Sequence, residues 1–314
     1  MLTGLSFSSI ALLLMAGIAL DLLLGETRRW HPLVGFGKLA SLIERRHNRG
    51  QSRLARGILA WMLAVLPLSL LSLALLDVAG PWLHAALLYV CIGLRSLRDH
   101  TLPIYSALCT GDLAQARMLT ARIVSRDTTN AEEADLAKAS AESLLENGND
   151  AVFGTLFWFV LLGGAGALVF RLANTLDAMW GYRSERFNLF GRGAARIDDA
   201  LNYLPARLTA LSYVLLAGAG RARAWHCWRT QAPAWSSPNA GPVMASGAGA
   251  LGVSLGGAAL YDGEVEHRPP LGCGPAACVG DILRAWRLVL HTTLLWAGVV
   301  CLLAVLLSIG AQHA

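Results

Sequence analysis

The sequence predicts an all-α, polytopic membrane protein, and three observations support this fold class. The chain has 314 residues, of which 55% are hydrophobic and 15% charged, and its mean hydropathy is +0.49. It contains apolar runs long enough to cross a bilayer, and polar segments separate these runs. This balance is typical of a multi-spanning membrane protein and excludes an ordinary soluble domain. We expect a single membrane-embedded domain over residues 1–314, with about four clear spanning helices, broken or re-entrant helices, and polar segments that face the cytoplasm.

Four apolar runs are predicted to span the membrane, namely residues 8–24, 57–76, 78–94 and 289–309. The segment between the first two carries eight basic residues: Arg28, Arg29, Lys38, Arg45, Arg46, Arg49, Arg53 and Arg56. Short loops rich in lysine and arginine remain in the cytoplasm. We therefore expect a multi-pass protein of the bacterial inner (cytoplasmic) membrane, with its active site facing the cytoplasm.

Two further apolar runs, residues 151–170 and 205–219, are predicted to be broken or re-entrant rather than spanning. Gly163-Gly164-Ala165-Gly166 interrupts the first run, which leaves two pieces of about three turns each. A helical hairpin would keep the polar segments 126–150 and 171–207 on the same side of the membrane, where a single crossing would separate them. Hydropathy alone favours two spans, so both interpretations stay open here.

The polar segment 126–150 predicts an acidic helix. Thr129 and Glu132 fit a capping box at its start, and Asn147-Gly148 fits a stop at its end. The segment carries Asp127 before the predicted helix, Asp135, Glu142 and Glu146 along one stripe of it, and Asp150 after it. Carboxylates gathered in this way suit Mg²⁺ that also binds substrate phosphates. The alternative is an ordinary solvated helix face.

Two more polar segments carry candidate site residues. In 171–207, Asn174 and Asp177 share a helix face, and Asp198, Asp199 and Asn202 lie within about one turn. Acidic residues within apolar helices are costly and point to function, although a structural ion pair with Arg196 or Arg207 would also explain Asp198 and Asp199. Tyr182 and Arg183 suit either an anionic substrate or lipid headgroups.

The third segment, 236–257, contains a Ser-Pro-Asn-Ala-Gly turn followed by a helix of small residues. Gly247 to Gly252 match GxGxxG, but no strand is predicted before them, so helix packing explains them better than a dinucleotide site. Residues Tyr261 to Ala277 are rich in proline and glycine and predict a loop.

As a set, these motifs resemble the adenosylcobinamide-phosphate synthase family of cobalamin biosynthesis. The matching pieces run in order from the first span almost to the last: LDLLLGE (20–26), HPLVGFG (31–37), RDTT (126–129), AESLLEN (141–147), NTLDAMWGYRSERF (174–187), GRGAARIDDALNYLPARLTA (191–210), SPNAG (237–241), GALGVSLGG (249–257) and PPLG (269–272).

The resemblance implies an ATP-dependent acid–amine ligase. Such an enzyme joins a carboxylate of adenosylcobyric acid to the amine of (R)-1-amino-2-propanol phosphate, and releases adenosylcobinamide phosphate, ADP and phosphate. ATP and Mg²⁺ are the implied cofactors, and an acyl phosphate is a plausible activated form of the carboxylate. The implied partners are the small-molecule substrates, the corrinoid among them, the lipid bilayer and other late enzymes of the pathway, with no nucleic acid.

We assign roles to the acids, amides and arginines within the matched segments. The predicted catalytic residues are Asp177, Asp198 and Asp199. The predicted ATP- or substrate-binding residues are Arg126, Asp127, Thr128, Asn147, Asp150, Asn174, Tyr182, Arg183, Asn202, Arg207, Ser237 and Asn239. The predicted metal ligands are Asp127, Glu142 and Glu146. A membrane transporter or a scaffold for corrinoid intermediates is the alternative function, although the chain lacks the two related halves typical of such transporters.

Overall fold

The computed structural model of the chain describes residues 4–27, 31–261 and 263–312. Arg28 and Arg29 of the predicted basic loop lie outside the described residues. The elements in chain order are α1 (Phe7–Leu24), α2 (Pro32–His47), α3 (Arg53–Ala79), α4 (Trp82–Cys91), α5 (Leu94–Cys109), α6 (Leu113–Thr120), α7 (Glu133–Asn147), α8 (Gly154–Trp180), α9 (Arg192–Leu216), α10 (Arg221–Gln231), α11 (Ala240–Leu251), β1 (Ser254–Tyr261), β2 (Glu264–Gly272) and α12 (Val279–Gln312). A π-helical turn, Gly148–Phe153, connects α7 to α8.

The predicted fold class is confirmed. Among the described residues, four helical stretches are long and apolar enough to cross a membrane: Phe7–Leu24, Arg53–Ala79, Glu133–Trp180 and Val279–Gly310. The span predicted over residues 78–94 needs correction. Its helix, α4, has only 10 residues and ends at Cys91, and the C-cap residue Ile92 is extended. Ten helical residues rise about 15 Å, roughly half of the hydrocarbon thickness.

The chain divides into two compact units. Unit 1 comprises Met1–Gly93, Asp150–Asn202 and Trp296–Ala314, and unit 2 comprises Leu94–Asn149 and Tyr203–Leu295. In unit 1, α2, α3 and α8 bury a shared apolar cluster that includes Phe36, Val65, Leu176 and Trp180. The ring of Trp180 packs edge-on against Phe190, just before α9.

In unit 1, α8 is a helical hairpin rather than one straight helix. Gly163 has φ 65° and ψ −155°, a conformation that only glycine adopts without strain. A side chain at Gly154 would collide with the ring of Phe170, although these residues would be about 24 Å apart along a straight helix. By length and composition alone, α8 belongs to one long candidate span. The break at Gly163 and the proximity of Gly154 to Phe170 show instead that α8 consists of two antiparallel halves.

A side-chain acceptor satisfies one backbone donor at the reversal. The second half of the hairpin begins with the N–H of Gly164, which donates to Nδ1 of the buried His84 at 2.9 Å. His84 thereby supplies an acceptor that a broken helix lacks. This contact also requires the proton of the neutral imidazole to be on Nε2.

Unit 2 contains a β-hairpin that the sequence analysis missed. Strands β1 and β2 pair antiparallel, from Ser254↔Gly272 to Tyr261↔Glu264, with an irregularity between Gly256 and Gly257. The prediction of a loop over Tyr261–Ala277 is therefore wrong for Glu264–Gly272. The N–H of Asp127 donates to the carbonyl of Leu260 at 2.8 Å, so the hairpin is joined to the RDTT segment.

The acidic helix α7 begins later than predicted and ends where predicted. Its N-cap is Glu132, whose backbone N–H donates to the Asp135 carboxylate at 3.3 Å, so the capping box lies three residues later than predicted. At its other end, α7 ends at Asn147 with Gly148 as its C-cap, at the predicted position. Gly148 does not adopt the left-handed conformation of a usual glycine cap, because its φ/ψ are −57° and −37°, and the chain continues as the π-helical turn Gly148–Phe153.

Candidate active site

Five polar residues of unit 1 form one cluster: Asp150, Asn174, Asp177, Asp198 and Asn202, here named the acid–amide cluster. The Nδ2 of Asn202 donates to Asp150 Oδ1 and to Asp198 Oδ2, both at 3.2 Å. The Nδ2 of Asn174 donates to Asp198 Oδ1 at 3.4 Å. The amide of Asn202 therefore bridges two carboxylates, and the amide of Asn174 adds a second donor to Asp198.

The fold explains how distant residues reach this cluster. Asp150 precedes the first half of the α8 hairpin and Asn174 and Asp177 end the second half, so the reversal at Gly163 returns them to the same end. On α9, Asp198 and Asn202 are four residues apart and share a face. The indole N–H of Trp158 on α8 donates to the carbonyl of Leu201 at 3.1 Å, which fixes that face against the hairpin.

Asp198 is the one acid of the cluster that lies outside the candidate spans. It is 6% exposed, and its partners are amides rather than an arginine. Burial, followed by the charges of Asp150 and Asp177, raises its pKa well above the ordinary value, and the hydrogen bonds from Asn202 and Asn174 only partly oppose this. A site of this kind favours a proton or a bound cation.

Arg171 adds a cationic group beside the cluster. Its Nη1 donates to Asn174 Oδ1 at 3.2 Å, while its buried Nε has no hydrogen-bond partner among the described residues. A buried donor without an acceptor is costly and suits an anionic ligand. Arg171 was not among the predicted site residues, although its position three residues before Asn174 was a usable signal.

The predicted metal ligand Glu142 is instead bound by arginines. Its carboxylate is 3% exposed and contacts Arg126, while Arg268 donates to it through Nη1 at 3.1 Å and Nη2 at 3.3 Å. The backbone N–H of Gly256 donates to the same carboxylate at 2.7 Å. The metal assignment of Glu142 stays a prediction, but these contacts argue against it, because both oxygens already accept strong hydrogen bonds.

The RDTT segment lines a cavity of about 240 Å³ in unit 2, here named the RDTT cavity. Arg126, Asp127, Thr128, Lys138 and the hairpin residues Ala258–Leu260 contribute to its wall. The Nε of Arg126 is buried and lacks a hydrogen-bond partner in the described part of the chain. Hydrogen bonds from the side chain and backbone of Thr129 lower the pKa of Asp127, which keeps this exposed carboxylate ionised.

A second polar group of unit 2 is built around Arg207. Its Nη1 donates to Asn239 Oδ1 at 2.6 Å, and its Nη2 donates to the carbonyl of Pro238 at 2.9 Å. Ser237 Oγ accepts from the backbone N–H groups of Asn239 and Ala240. The guanidinium lies over the Tyr203 ring, 3.6 Å from its centroid. This arrangement orders the SPNAG turn and fixes one face of Arg207.

The remaining predicted residues have more ordinary surroundings. Asn147 donates within its own helix to the carbonyl of Ser143 at 3.0 Å, and Thr128 Oγ1 donates to the carbonyl of Arg117. Tyr182, Arg183 and Glu146 are exposed, and Asp199 is half-buried. Within residues 4–27, 31–261 and 263–312, no three His, Cys, Asp or Glu side chains form a ready-made metal site. Asp127, Glu142 and Glu146 therefore do not form such a cluster.

Comparison with known proteins identifies the family. The profile described as CobD/Cbib protein matches residues 14–289. The chain belongs to the CobD/Cbib protein family. Cobalamin biosynthesis protein CobD of Chromobacterium violaceum is 54% identical over 97% of this chain and 99% of its own length. The protein of the same name from Stutzerimonas stutzeri is 54% identical over 98% of this chain and 100% of its own.

More distant relatives carry related names. The probable cobalamin biosynthesis protein CobD of Thermococcus kodakarensis is 41% identical over 65% of this chain and 70% of its own length. No solved structure matches the chain. The region matched by the CobD/Cbib profile includes the acid–amide cluster, the RDTT cavity and the SPNAG turn. It also includes Arg171 and Arg268, which the sequence analysis did not assign.

Proposed function

We propose that this CobD/Cbib protein is a cobalamin biosynthesis enzyme that forms an amide bond at the expense of ATP. It joins adenosylcobyric acid to (R)-1-amino-2-propanol phosphate, giving adenosylcobinamide phosphate, ADP and phosphate. The names of its full-length relatives support the pathway. The resemblance of its motifs supports the reaction.

One observation carries the proposal, namely the adjacency of the acid–amide cluster and Arg171. The amino alcohol phosphate has an ammonium group at one end and a phosphate at the other. The buried carboxylate of Asp198 and the half-buried carboxylates of Asp150 and Asp177 suit the ammonium, which relieves their mutual repulsion. The unpartnered Nε of Arg171 suits a phosphate oxygen. We therefore assign the amino alcohol phosphate to this part of unit 1.

The same carboxylates suit the proton transfer that the reaction needs. An ammonium nitrogen has no free electron pair, so it must lose a proton before it attacks the activated carbonyl carbon. A carboxylate with a raised pKa is a stronger base than an ordinary one. We assign this role to Asp198, with Asp177 beside it. The proton moves to a carboxylate oxygen, the nitrogen forms the C–N bond, and the group that activated the carboxyl leaves.

ATP and Mg²⁺ fit the RDTT cavity better than they fit Glu142. The unpartnered Nε of Arg126 and the ammonium of Lys138 suit phosphate oxygens, and Asp127 supplies an ionised carboxylate. Mg²⁺ in nucleotide sites takes one or two carboxylates together with phosphate oxygens. When bound there, Mg²⁺-ATP supplies the phosphoryl group that activates the corrinoid carboxylate. Arg207 and Asn239 are proposed to position substrate phosphate or amide groups.

The experiment is a reconstituted reaction. Purified protein receives ATP, Mg²⁺, adenosylcobyric acid and 1-amino-2-propanol phosphate, and the products are measured by mass spectrometry. We expect adenosylcobinamide phosphate together with an equal amount of ADP. Corrinoid flux into protein-containing liposomes without product would instead indicate a transporter. Binding of pathway enzymes with neither product nor flux would indicate a scaffold.

We further propose that the protein lies in the bacterial inner membrane, with the acid–amide cluster on the cytoplasmic side. The basic segment that contains α2 supports this orientation. A reporter fused after Arg183 would then be active only as a cytoplasmic reporter, and periplasmic activity would reject the orientation.

A further inference from the structure

A basic groove lies in unit 1 where α2 ends and α3 begins. It has a volume of about 480 Å³ and is lined by Glu44, Arg45, Asn48, Arg49, Arg53, Glu185 and Arg186. None of these residues belongs to the acid–amide cluster or to any predicted site. We propose that this groove, here named the α2–α3 groove, binds the phosphate headgroup of an anionic phospholipid.

One side of the groove is held rigid by an ion pair. Arg186 donates to Glu44 through Nε at 3.1 Å and through Nη2 at 2.7 Å, which is the bidentate geometry of a strong pair. Asn48 donates to Glu44 at 2.7 Å and to the carbonyl of Arg186 at 3.0 Å. Burial opposes the charge on Glu44, but these hydrogen bonds and the charge of Arg186 outweigh it and lower the pKa of Glu44. Glu44 therefore stays ionised and neutralises Arg186.

The other arginines of the groove retain their charge for a ligand. Among the described residues, no acidic side chain forms an ion pair within 4.0 Å of Arg45, Arg49 or Arg53. Arg53 reaches only the backbone carbonyl of Glu185, at 3.4 Å. Four arginines thus face two glutamates, one of which is already neutralised. The excess positive charge favours an anion, and a phosphate matches the arginine geometry.

The apolar surroundings favour a lipid over a soluble anion. The helix α3 is a candidate membrane span that begins at Arg53, in the groove itself. Leu54, Ile58 and Met62 follow at four-residue spacing and are 41%, 39% and 39% exposed. They form an apolar stripe that leads from the groove along the span. A phospholipid whose phosphate lies in the groove would lay an acyl chain along this stripe, whereas a soluble phosphate would leave it uncovered.

The test is a lipid titration of the full-length protein in detergent, followed by native mass spectrometry. The probes are phosphatidylglycerol and phosphatidylcholine. The variants are Arg45→Gln/Arg49→Gln/Arg53→Gln, the single Arg49→Gln, and a control triple, Arg122→Gln/Arg192→Gln/Arg196→Gln, that removes the same charge from exposed positions elsewhere. We expect the wild-type protein to retain phosphatidylglycerol in preference to phosphatidylcholine.

Each arginine near a headgroup contributes about fivefold to the affinity. The single variant should therefore bind phosphatidylglycerol about fivefold more weakly and the groove triple roughly a hundredfold more weakly, while the control triple should bind as the wild type does. Equal binding by the single variant and the wild type would overturn the proposal, even if the triple failed to fold. Displacement of the lipid by inorganic phosphate at equal concentration would also overturn it and would assign the groove to a soluble anion.

Discussion

The side-chain amide of Asn202 donates to Asp198 at 3.2 Å, and the same nitrogen lies at the same distance from Asp150. One neutral residue thus bridges two carboxylates that come from different elements. The bridge exists because the α8 hairpin returns to the end at which α9 begins. The bridge stabilises two neighbouring carboxylates, one of them buried, without an arginine between them.

Replacing Asn202 by alanine should disturb both stability and activity. The substitution removes donors from two acids, one of them buried, and hydrogen bonds to charged groups contribute about 1.5–3 kcal/mol. We expect a loss of stability of this size and at least about a tenfold loss of ligase turnover. Thermal unfolding in detergent and the ligation assay measure the two effects. Asn188→Ala, at an exposed position, is the control and should change neither. Wild-type turnover in Asn202→Ala would remove this residue from the site.

Asp198→Asn should abolish turnover and, at higher pH, make the protein more stable than the wild type. In the unfolded chain Asp198 ionises near 3.8, whereas in the folded protein its pKa lies well above that value. As pH rises between these two values, the unfolded state loses its proton first, so the wild type loses stability. The asparagine variant has no such loss.

The melting temperature of Asp198→Asn relative to the wild type should therefore rise from pH 4 to pH 8, while turnover disappears. Scanning calorimetry at a series of pH values measures the difference. Parallel pH profiles of the two proteins would show that Asp198 titrates normally.

Glu142 and Glu146 should respond differently to alanine. Glu142→Ala leaves Arg126 and Arg268 without their buried partner, which costs about 3–5 kcal/mol. We expect a large fall in melting temperature. Glu146 is exposed, so Glu146→Ala should unfold like the wild type. If Glu146 binds metal, the Mg²⁺ concentration needed for half-maximal turnover should rise. A stable Glu142→Ala protein with a raised Mg²⁺ requirement would instead support the original metal assignment.

The α8 hairpin should depend on Gly163. An alanine there would need the same φ of 65° with ψ of −155°, which costs at least about 1–3 kcal/mol. We expect Gly163→Ala to lower the melting temperature and the yield of folded protein. Gly298→Ala is the matched control, because Gly298 lies in α12 with open space around it and should tolerate or gain from the methyl group. Equal stability of the two variants would argue against the strained reversal.

The sequence predicted the parts of this fold that local patterns control. The glycine-rich run at 163–166 predicted the reversal of α8, and the four-residue spacing of Asp198 and Asn202 predicted a shared helix face. The β-hairpin left no such signal, because most of β2 is exposed and Pro269-Pro270 obscures the alternation of a strand. Gly148 marked the end of α7 correctly, but its helical φ/ψ and the π-helical turn that follows could not be read from the sequence.

Contacts between site residues that are distant in the sequence could not be predicted from the sequence either. Glu142 and Arg268 are far apart in the sequence, and no local sequence pattern near either residue indicates that they form an ion pair. The same holds for Asp150 and Asn202, whose meeting depends on the hairpin. Composition could therefore identify the acids and arginines, while the fold decided which acids are paired with arginine and which lie beside amides.

The most direct test of the account measures binding of the amino alcohol phosphate by calorimetry. The ligands are 1-amino-2-propanol phosphate and 1,2-propanediol phosphate, which lacks the ammonium group. Wild-type protein should bind the amine at least about tenfold more tightly, because the acid–amide cluster recognises the ammonium, and Asp198→Asn should lose most of this preference. Equal binding of the two ligands by the wild type, or an unchanged preference in Asp198→Asn, would contradict the assignment of the amine to this cluster.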